Sequence, residues 1–360
     1  MNKTKNIIEN RIYREDISHV SELNLPWDKL SNKSLLISGA SGMIGSMIVD
    51  VIIQKNNEGL NSTIYTLGRN EECMKNRFSY CGSRDWLNIV KCDVMTPIFI
   101  DADRIDYVLH LASNTHPILY ATNPIGTITT NLIGLNNMLE FAYTHRAVRC
   151  LFASSNEIYG ENRGDVEKFR EDYCGYIDSN TLRAGYPESK RCSESLCQAY
   201  IAEKGLDIVI PRITRTYGPT LLSSDSKALS QFLFNAVEGK DIVLKSEGNQ
   251  YYSYMYLADT VAGIFTVLLK GENGEAYNIS EESSDITLKE LAHIVAEYSN
   301  VGVICDKPSV TESAGFSKAT KARLDGGKLH TLGWKAMYGI NEGVRRTIDV
   351  LKDIRGFCYE

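Results

Sequence analysis

The chain has 360 residues and is 43% hydrophobic, which is enough for one large two-lobed domain or two domains with a substantial core. A formal net charge of −6 argues against nucleic acid or an anionic membrane as the main partner, and no apolar run is long enough to span a bilayer. Nine scattered cysteines, and six histidines without metal-ligand spacing, favour reduced thiols, no metal site and a cytoplasmic location.

The order of segments along the chain predicts an α/β fold. Residues 1–33 form a polar extension that we expect to pack as a short helix and loop over the main lobe. From there, short apolar segments typical of buried parallel strands alternate with segments typical of helices. The predicted strands are Leu35–Ser38, Ile64–Leu67, Ile89–Lys91, Tyr107–Leu111, Arg149–Ala153 and Ile208–Ile213, and the predicted helices are Met43–Gln54, Ile125–Tyr143 and Glu188–Glu203. This alternation predicts a Rossmann-like, doubly wound parallel sheet.

After Pro219 the segments become shorter and predict a smaller C-terminal lobe that binds substrate at the carboxyl ends of the strands. Its expected elements are helices near Ser230–Glu238 and Leu288–Tyr298, strands at Ile242–Leu244 and Tyr251–Leu257, and a final helix at Asn341–Asp353. The predicted domains are therefore 34–220 for dinucleotide binding, with a return segment near 251–270, and 221–360 mainly for substrate binding.

A glycine-rich turn between the first strand and the first helix predicts a dinucleotide site. Gly39 allows the tight turn, Gly42 lets the backbone approach a pyrophosphate, and Gly45 lets the helix pack close to the strand. The other residues of this loop that we expect to line the cofactor are Ser41, Met43 and Ile44.

Two further positions bear on the choice between NAD and NADP. The second strand ends at Gly68-Arg69-Asn70 with no acidic residue for the ribose 2′-hydroxyl, so Arg69 favours NADP or else stacks on adenine. After the third strand, Asp93, followed by Val94, can accept a hydrogen bond from the adenine amine or cap a turn.

Tyr186 and Lys190 are four residues apart, so a helix would place them on one face. A nearby ammonium lowers the pKa of a phenol, and such a tyrosine can take a proton from a sugar hydroxyl while a nicotinamide takes the hydride. The pair becomes informative because the chain also carries the dinucleotide loop.

Together these motifs resemble the extended short-chain dehydrogenase/reductase family, also called the NAD-dependent epimerase/dehydratase family, whose members modify nucleoside-diphosphate sugars. The resemblance runs from about Ser34 to the final helix. Its motifs are the loop from Gly39 to Gly45, His110-Leu111-Ala112-Ser113, Asn131-Leu132-Ile133-Gly134, Glu157-Ile158-Tyr159-Gly160, Tyr186 with Lys190, Tyr217-Gly218-Pro219 and Leu332-Gly333-Trp334. Within the family, the segment from Glu171 to Cys197 is most similar to the UDP-glucuronate decarboxylase branch.

The resemblance implies roles for individual residues. Tyr186 would be the base, Lys190 would lower the Tyr186 pKa and bind the nicotinamide ribose, and Ser155 would bond the substrate hydroxyl. The remaining implied residues are Leu111, Ala112 and Ser113 on the cofactor, and Asn131, which supports the substrate site from the middle of a helix. The helices Ile125–Tyr143 and Glu188–Glu203 would form the face of a homodimer.

The residues after the catalytic serine bear on the reaction that follows oxidation. Dehydratases of this family resemble Thr-Asp-Glu there, decarboxylases resemble Thr-Ser-Glu, and many 4-epimerases have two uncharged residues. This chain has Ser155-Asn156-Glu157, and an amide cannot supply a proton as an aspartic acid does, which argues against an ordinary 4,6-dehydratase. Glu157 can act as a base at C5, orient a water, bind a hydroxyl or pair with a neighbouring cation.

Two departures from the family pattern concern the substrate's anionic groups. Tyr252 stands where decarboxylases and dehydratases usually carry an arginine, which weakens the decarboxylase interpretation. Arg215 stands where the family usually has an asparagine, and it can hold the diphosphate or a substrate carboxylate, or tie the lobes together by a salt bridge. Arg183 matches the decarboxylase-like branch and can touch the sugar or phosphate.

The leading interpretation is a nucleoside-diphosphate-sugar 4-epimerase that works through a transient 4-keto sugar. Decarboxylation of a UDP-uronic acid comes second, and an NADPH-dependent 4-ketosugar reductase, supported by Arg69, comes third. A non-catalytic sensor of dinucleotides or nucleotide sugars stays open, although intact Ser155, Tyr186 and Lys190 argue against it.

Overall fold

The computed structural model describes residues 6–115, 117–308 and 320–354. Its strands are β1 Ser34–Ser38, β2 Thr63–Gly68, β3 Leu87–Lys91, β4 Tyr107–His110, β5 Arg149–Phe152, β6 Ser154–Ser155, β7 Ile208–Ile213, β8 Arg215–Tyr217, β9 Ile242–Leu244, β10 Tyr251–Tyr256, β11 Ala276–Ile279, β12 Asp285–Thr287, β13 Val303–Cys305 and β14 Lys321–Ala322. Its helices are α1 Arg11–Ser21, α2 Met43–Asn57, α3 Glu71–Arg77, α4 Pro117–Thr122, α5 Pro124–Thr144, α6 Gly185–Lys204, α7 Ala228–Val237, α8 Leu257–Lys270, α9 Leu288–Ser299, α10 Gly327–His330 and α11 Ile340–Asp353.

The central sheet confirms the predicted doubly wound architecture. Its strand order is β3-β2-β1-β4-β5-β7-β11, with β6 paired beside β7, and every pairing is parallel. The strand order reverses between β1 and β4, and open α/β sheets bind their ligands in the crevice at that point. The six predicted strands are all present; β11 was not predicted, because its four residues include the polar Asn278 and do not form a continuous apolar run.

Both faces of this sheet are buried, which explains the continuous apolar strands. On β1, Leu35 and Ile37 pack into one core with the side chains of α2 and α8, whereas Leu36 packs into a second core with those of α5 and α6. Successive residues of a strand point to opposite faces, so a strand covered by helices on both sides must be apolar throughout.

The smaller lobe is organised around β10, which pairs with β8, β12 and β14, while β9 and β13 form a separate parallel pair. The chain then returns to the large sheet, because α8 packs beside α2 and β11 pairs with β7. Within the described ranges, no helix combines the length and the apolar composition needed to cross a membrane.

The N-terminal extension contains the expected helix, α1, which packs against α2 and α8. The Tyr13 hydroxyl donates a hydrogen bond to Asp50 of α2 at 2.5 Å, and Arg346 of α11 donates to Asp16 at 2.7 Å. The extension therefore connects α2, on one face of the central sheet, to α11.

Candidate active site

The loop from Gly39 to Gly45 forms a cradle that side chains would fill. Gly39 has a φ of +70°, and a Cβ on it would lie 2.9 Å from the backbone nitrogen of Ala112. A Cβ on Gly45 would lie 2.2 Å from the Gly39 carbonyl oxygen. Gly42 is the N-cap of α2 and brings no side-chain cap, which leaves the first N–H groups of the helix for an anion. The cradle fits the pyrophosphate of a dinucleotide.

The other predicted cofactor residues surround this cradle. The Leu111 nitrogen donates to Ser38 Oγ at 3.2 Å, and the Met43 carbonyl accepts a hydrogen bond of 2.9 Å from Thr220, which ties the loop to the segment that follows β8. Ser41, Ile44 and Ala112 are half-buried beside the same turn.

The positions predicted to read the adenosine end line one groove. Arg69, Asp93, Thr96 and Phe99 all contribute to it. Arg69 is exposed, whereas Asp93 Oδ1 accepts a hydrogen bond of 3.0 Å from the Met95 nitrogen and so caps its own turn. Val94, which was also predicted to contact the cofactor, does not line this groove; it is 6% exposed and packs in the same core as Leu36.

The redox residues meet at the carboxyl edge of the sheet. Ser155 lies in β6, and Tyr186 and Lys190 lie on the first turns of α6, where both are buried. Lys190 Nζ donates to the Ala153 carbonyl at 2.8 Å and lies 6.0 Å from the centroid of the Tyr186 ring. The motif spacing therefore places the phenol and the amine on one buried helix face.

The pKa of Tyr186 differs from the sequence expectation. Burial raises it to about 12, while hydrogen bonding from Ser155 and Ser113 acts in the opposite direction. Burial also lowers the pKa of Lys190 to about 7, against the charge of Glu194. The net pKa of Tyr186 is therefore raised and not lowered, because four-residue spacing says nothing about the burial that both groups share and that outweighs any effect of a neighbouring ammonium.

Asn131 of α5 is linked to the redox residues by hydrogen bonds through two serines. Its side-chain oxygen accepts from Ser113 Oγ at 2.7 Å and its nitrogen donates to Ser189 Oγ at 2.8 Å, while Ser189 donates to the Tyr186 carbonyl at 2.8 Å. Asn131 is 0% exposed, so it offers no surface to a substrate. Asn131 therefore supports Tyr186 through Ser113 and Ser189 and does not contact the substrate directly.

A charged pocket opens beside Tyr186; we use this name for the pocket lined by Asn156, Glu157, Arg183 and Arg215. Glu157 lies between the two guanidinium groups, with Oε2 2.6 Å from Arg183 and Oε1 3.7 Å from Arg215. Burial acts to raise the pKa of Glu157, but the two positive charges outweigh it and hold the pKa below its ordinary value. Glu157 is therefore ion-paired, which makes it a weaker base than a free carboxylate.

Asn156 and Tyr252 both contact Arg215 of β8. With its amide oriented to satisfy both polar atoms, Asn156 accepts from Arg215 Nη1 at 2.9 Å and donates to the Ile213 carbonyl at 3.3 Å. Arg215 Cζ lies 3.5 Å from the centroid of the Tyr252 ring. The two departures from the family pattern are thus in direct contact.

Tyr120 of α4 is a neighbour of this site that the sequence did not predict. Its ring stacks on Tyr186 with centroids 4.7 Å apart, and Arg183 lies over the same ring at 5.0 Å. A short helix carries no periodic pattern that would have identified this residue.

With this geometry in hand, comparison with known proteins assigns the family. The model of the NAD dependent epimerase/dehydratase family matches residues 35–280, so the chain belongs to this family, as the motifs predicted. UDP-glucuronic acid decarboxylase 3 from Arabidopsis thaliana is 32% identical over 319 residues, which cover 87% of each chain. The similarity to decarboxylases, which the sequence indicated between Glu171 and Cys197, therefore extends over most of the chain.

Two solved structures share the fold. A dTDP-glucose 4,6-dehydratase from Streptomyces venezuelae, with NAD bound, has a TM-score of 0.75 at 23% identity, covering 90% of this chain and 98% of that chain. A UDP-glucuronic acid 4-epimerase from Bacillus cereus, in complex with UDP-glucuronic acid and NAD, has a TM-score of 0.75 at 18% identity, covering 89% of this chain and 99% of that one. The family description and both structures name NAD as the cofactor.

Proposed function

We propose that this protein decarboxylates a UDP-uronic acid, with UDP-glucuronic acid as the first candidate substrate. The decarboxylase relatives support this reaction better than 4-epimerisation, which was the leading interpretation from the sequence. The observation that carries the proposal is the composition of the charged pocket next to Tyr186. It combines two guanidinium groups, which suit a carboxylate substrate, with an amide at position 156.

The amide at position 156 distinguishes decarboxylation from dehydration. Loss of a hydroxyl group needs a proton donor, and Asn156 cannot be one because its amide does not titrate and is engaged with Arg215 and the Ile213 carbonyl. Carbon dioxide leaves without being protonated. The same residue that argues against a dehydratase is therefore compatible with a decarboxylase.

The residues of the chain supply binding and proton transfer. Gly39, Gly42 and the first turn of α2 would hold the pyrophosphate of NAD, which supplies a hydride acceptor at C4 of the sugar and returns the hydride at the end. Tyr186 takes the proton of the C4 hydroxyl, and Ser155 orients that hydroxyl. Because burial raises the Tyr186 pKa to about 12, the positive charge of Lys190 is needed to favour the phenolate.

A ketone at C4 makes the C6 carboxylate a leaving group. The C5–C6 bond breaks, carbon dioxide departs, and the electron pair moves into the C4 carbonyl to form an enolate. A proton then adds to C5, and Tyr186 returns its proton to the C4 oxygen as the alcohol forms again. The net reaction converts a uronic acid and one proton into a pentose and carbon dioxide, without net oxidation.

Mass spectrometry of the reaction with UDP-glucuronic acid and NAD tests the proposal. The expected product is lighter than the substrate by one carbon dioxide, and NAD is not consumed. A product of unchanged mass and altered retention would reject decarboxylation in favour of epimerisation. Tyr252, in the position of the usual arginine, is the observation that favours that second candidate.

The reductase and sensor alternatives give different outcomes in the same assay. Net consumption of NADPH with a 4-ketosugar would identify a reductase, for which exposed Arg69 is the supporting feature. A sensor would bind the nucleotide sugar without turnover, and the Tyr186→Phe variant would then behave like the wild type.

We also propose a cytoplasmic homodimer joined through α5 and α6. Ile125, Ile133 and Tyr143 of α5 are 76%, 43% and 45% exposed, and a partner subunit would remove this apolar surface from water. The described cysteines are all free thiols, which supports a reducing compartment. Light scattering after size-exclusion chromatography should give twice the mass of one chain; the mass of one chain would contradict the dimer.

A further inference from the structure

The contact between Arg215 and Tyr252 follows from the pairing of two short strands. Strands β8 and β10 are parallel, and Arg215 is opposite Tyr254. Tyr252 is two residues before Tyr254, so its side chain points to the same face of the strand. From there the Arg215 side chain extends over the Tyr252 ring, with Cζ 3.5 Å from the ring centroid. The guanidinium of β8 thus lies above position 252 of β10.

The aromatic face holds the guanidinium in a defined plane. Stacking on a ring uses the flat side of the group and leaves its N–H donors at the edge free for hydrogen bonds. One of them, Nη1, bonds to Asn156 at 2.9 Å, and Nη2 lies 3.7 Å from Glu157. Glu157 also pairs with Arg183 at 2.6 Å, so one carboxylate balances only one of two positive charges.

The neighbours of Arg215 indicate which part of a nucleotide sugar it meets. Asn156 and Glu157 directly follow Ser155, which is the residue that would hold the C4 hydroxyl. In a uronic acid the carboxylate is attached to C5, next to C4, whereas the diphosphate is attached to C1 on the opposite side of the ring. A guanidinium bonded to Asn156 is therefore at the carboxylate end of the sugar.

We infer that Arg215 is the residue that recognises the substrate carboxylate, and that Tyr252 is a positioning residue that holds its guanidinium in place. The arginine that related enzymes usually carry at position 252 has in effect been replaced by one from the neighbouring strand. The inference rests on the proposed function, since it requires a uronic acid as substrate. It also removes the argument that Tyr252 made against carboxylate recognition.

A reciprocal exchange of the two residues tests this inference. The variants are Arg215→Asn, which restores the usual asparagine, and the double variant Arg215→Asn with Tyr252→Arg, which moves the guanidinium back to β10. The dissociation constants of UDP-glucuronic acid, UDP-glucose and UDP are measured with NAD present. Arg215→Asn should weaken UDP-glucuronic acid binding by about tenfold to a hundredfold and change the other two by less than about threefold.

The double variant should regain part of the lost affinity for UDP-glucuronic acid, and this rescue also guards against a variant that merely unfolds. Equal weakening for all three ligands would mean that Arg215 binds the diphosphate, and unchanged affinity for UDP-glucuronic acid would mean that it binds neither group. Either result overturns the inference.

Variants of Tyr252 test its positioning role separately. Tyr252→Phe keeps the aromatic face, and we expect it to stay within about threefold of the wild-type KM for UDP-glucuronic acid. Tyr252→Leu removes the face and should raise that KM by about tenfold, with a smaller change in kcat. Equal effects of Phe and Leu would contradict a role for the ring.

The failure of this inference can be told apart from failure of the proposed reaction. If the wild-type protein prefers UDP-glucuronic acid to UDP-glucose and Arg215→Asn abolishes the preference, the carboxylate contact stands even when the product keeps its mass. If the wild-type protein shows no such preference, the carboxylate contact is wrong whatever reaction is catalysed.

Discussion

The redox residues and the charged pocket are neighbours, yet they are built in different ways. Lys190 is tied to a backbone carbonyl of the central sheet, and Tyr186 is fixed on the first turn of a helix that packs against that sheet. In the charged pocket, side chains hold one another: Arg215 lies on Tyr252 and next to Glu157. The first arrangement depends on contacts to the backbone. In the second, a functional group such as a guanidinium can be supplied by one strand or by its neighbour while the backbone stays in place. A change of reaction is therefore easier to make in the pocket than in the redox site.

The largest expected effect comes from Tyr186→Phe, which removes the oxygen that we propose accepts the substrate proton. We expect kcat to fall by about 10²- to 10⁴-fold while NAD binding, measured by titration, is retained. Tyr200→Phe is the matched control on the same helix, because that hydroxyl bonds to Asn136 and Glu140 away from the site. Comparable loss in both variants would mean that the effect is structural.

Asn131→Ala should break the support behind the redox site. The variant removes the acceptor of the half-buried Ser113 hydroxyl and the donor to the buried Ser189 hydroxyl, and we expect the free energy of unfolding in urea to fall by about 1–3 kcal/mol. Turnover should fall as well, because Ser113 hydrogen-bonds Tyr186. Asn136→Ala, an exposed position on the same helix, serves as the control: it removes one of two acceptors of the Tyr200 hydroxyl, which keeps Glu140, so both quantities should change much less than in the Asn131 variant. If the Asn131→Ala variant is destabilised but turns over normally, Asn131 contributes to packing and not to catalysis.

The charged pocket is tested by Glu157→Gln, which leaves both guanidinium groups for the substrate. UDP-glucuronic acid should bind roughly threefold to tenfold more tightly, because a like charge beside its carboxylate is removed. UDP-glucose is the control ligand and should bind as before. Weaker binding of UDP-glucuronic acid would show that Glu157 orients the arginines more than it opposes the substrate.

The remaining prediction concerns the pH dependence of stability. The pKa of Lys190 is lowered to about 7 in the folded protein, so the unfolded chain binds more protons at this residue between about pH 7 and its ordinary pKa. Stability contributed by Lys190 should therefore rise with pH across that range and should not change below it. The difference in unfolding free energy between wild type and Lys190→Met, measured at pH 7 and pH 9, isolates this residue. A difference that is independent of pH would mean that Lys190 keeps its ordinary pKa.

The sequence predicted the doubly wound sheet, and it predicted that Tyr186 and Lys190 share one helix face, because both depend on local patterns. Alternating strands and helices indicate a parallel sheet but leave its strand order open, and a four-residue spacing places two side chains on one face of a helix. It did not predict the Tyr186 pKa, since desolvation depends on everything that surrounds the ring. It also did not predict that Arg215 lies on Tyr252, because that contact exists only once β8 and β10 are paired.

The contacts that α1 makes with α11 affect the order in which parts of the chain can pack together. Asp16 receives a hydrogen bond from Arg346, and Asn10 donates to Asp353 at 2.7 Å. Asn10 and Asp16 thus obtain these partners only from α11, which lies 343 and 330 residues further along the chain from them. Domains generally fold from the N-terminus as they emerge, but α1 can make these two contacts only after α11 has been synthesised. The complete packing of α1 therefore depends on a segment from the other end of the fold.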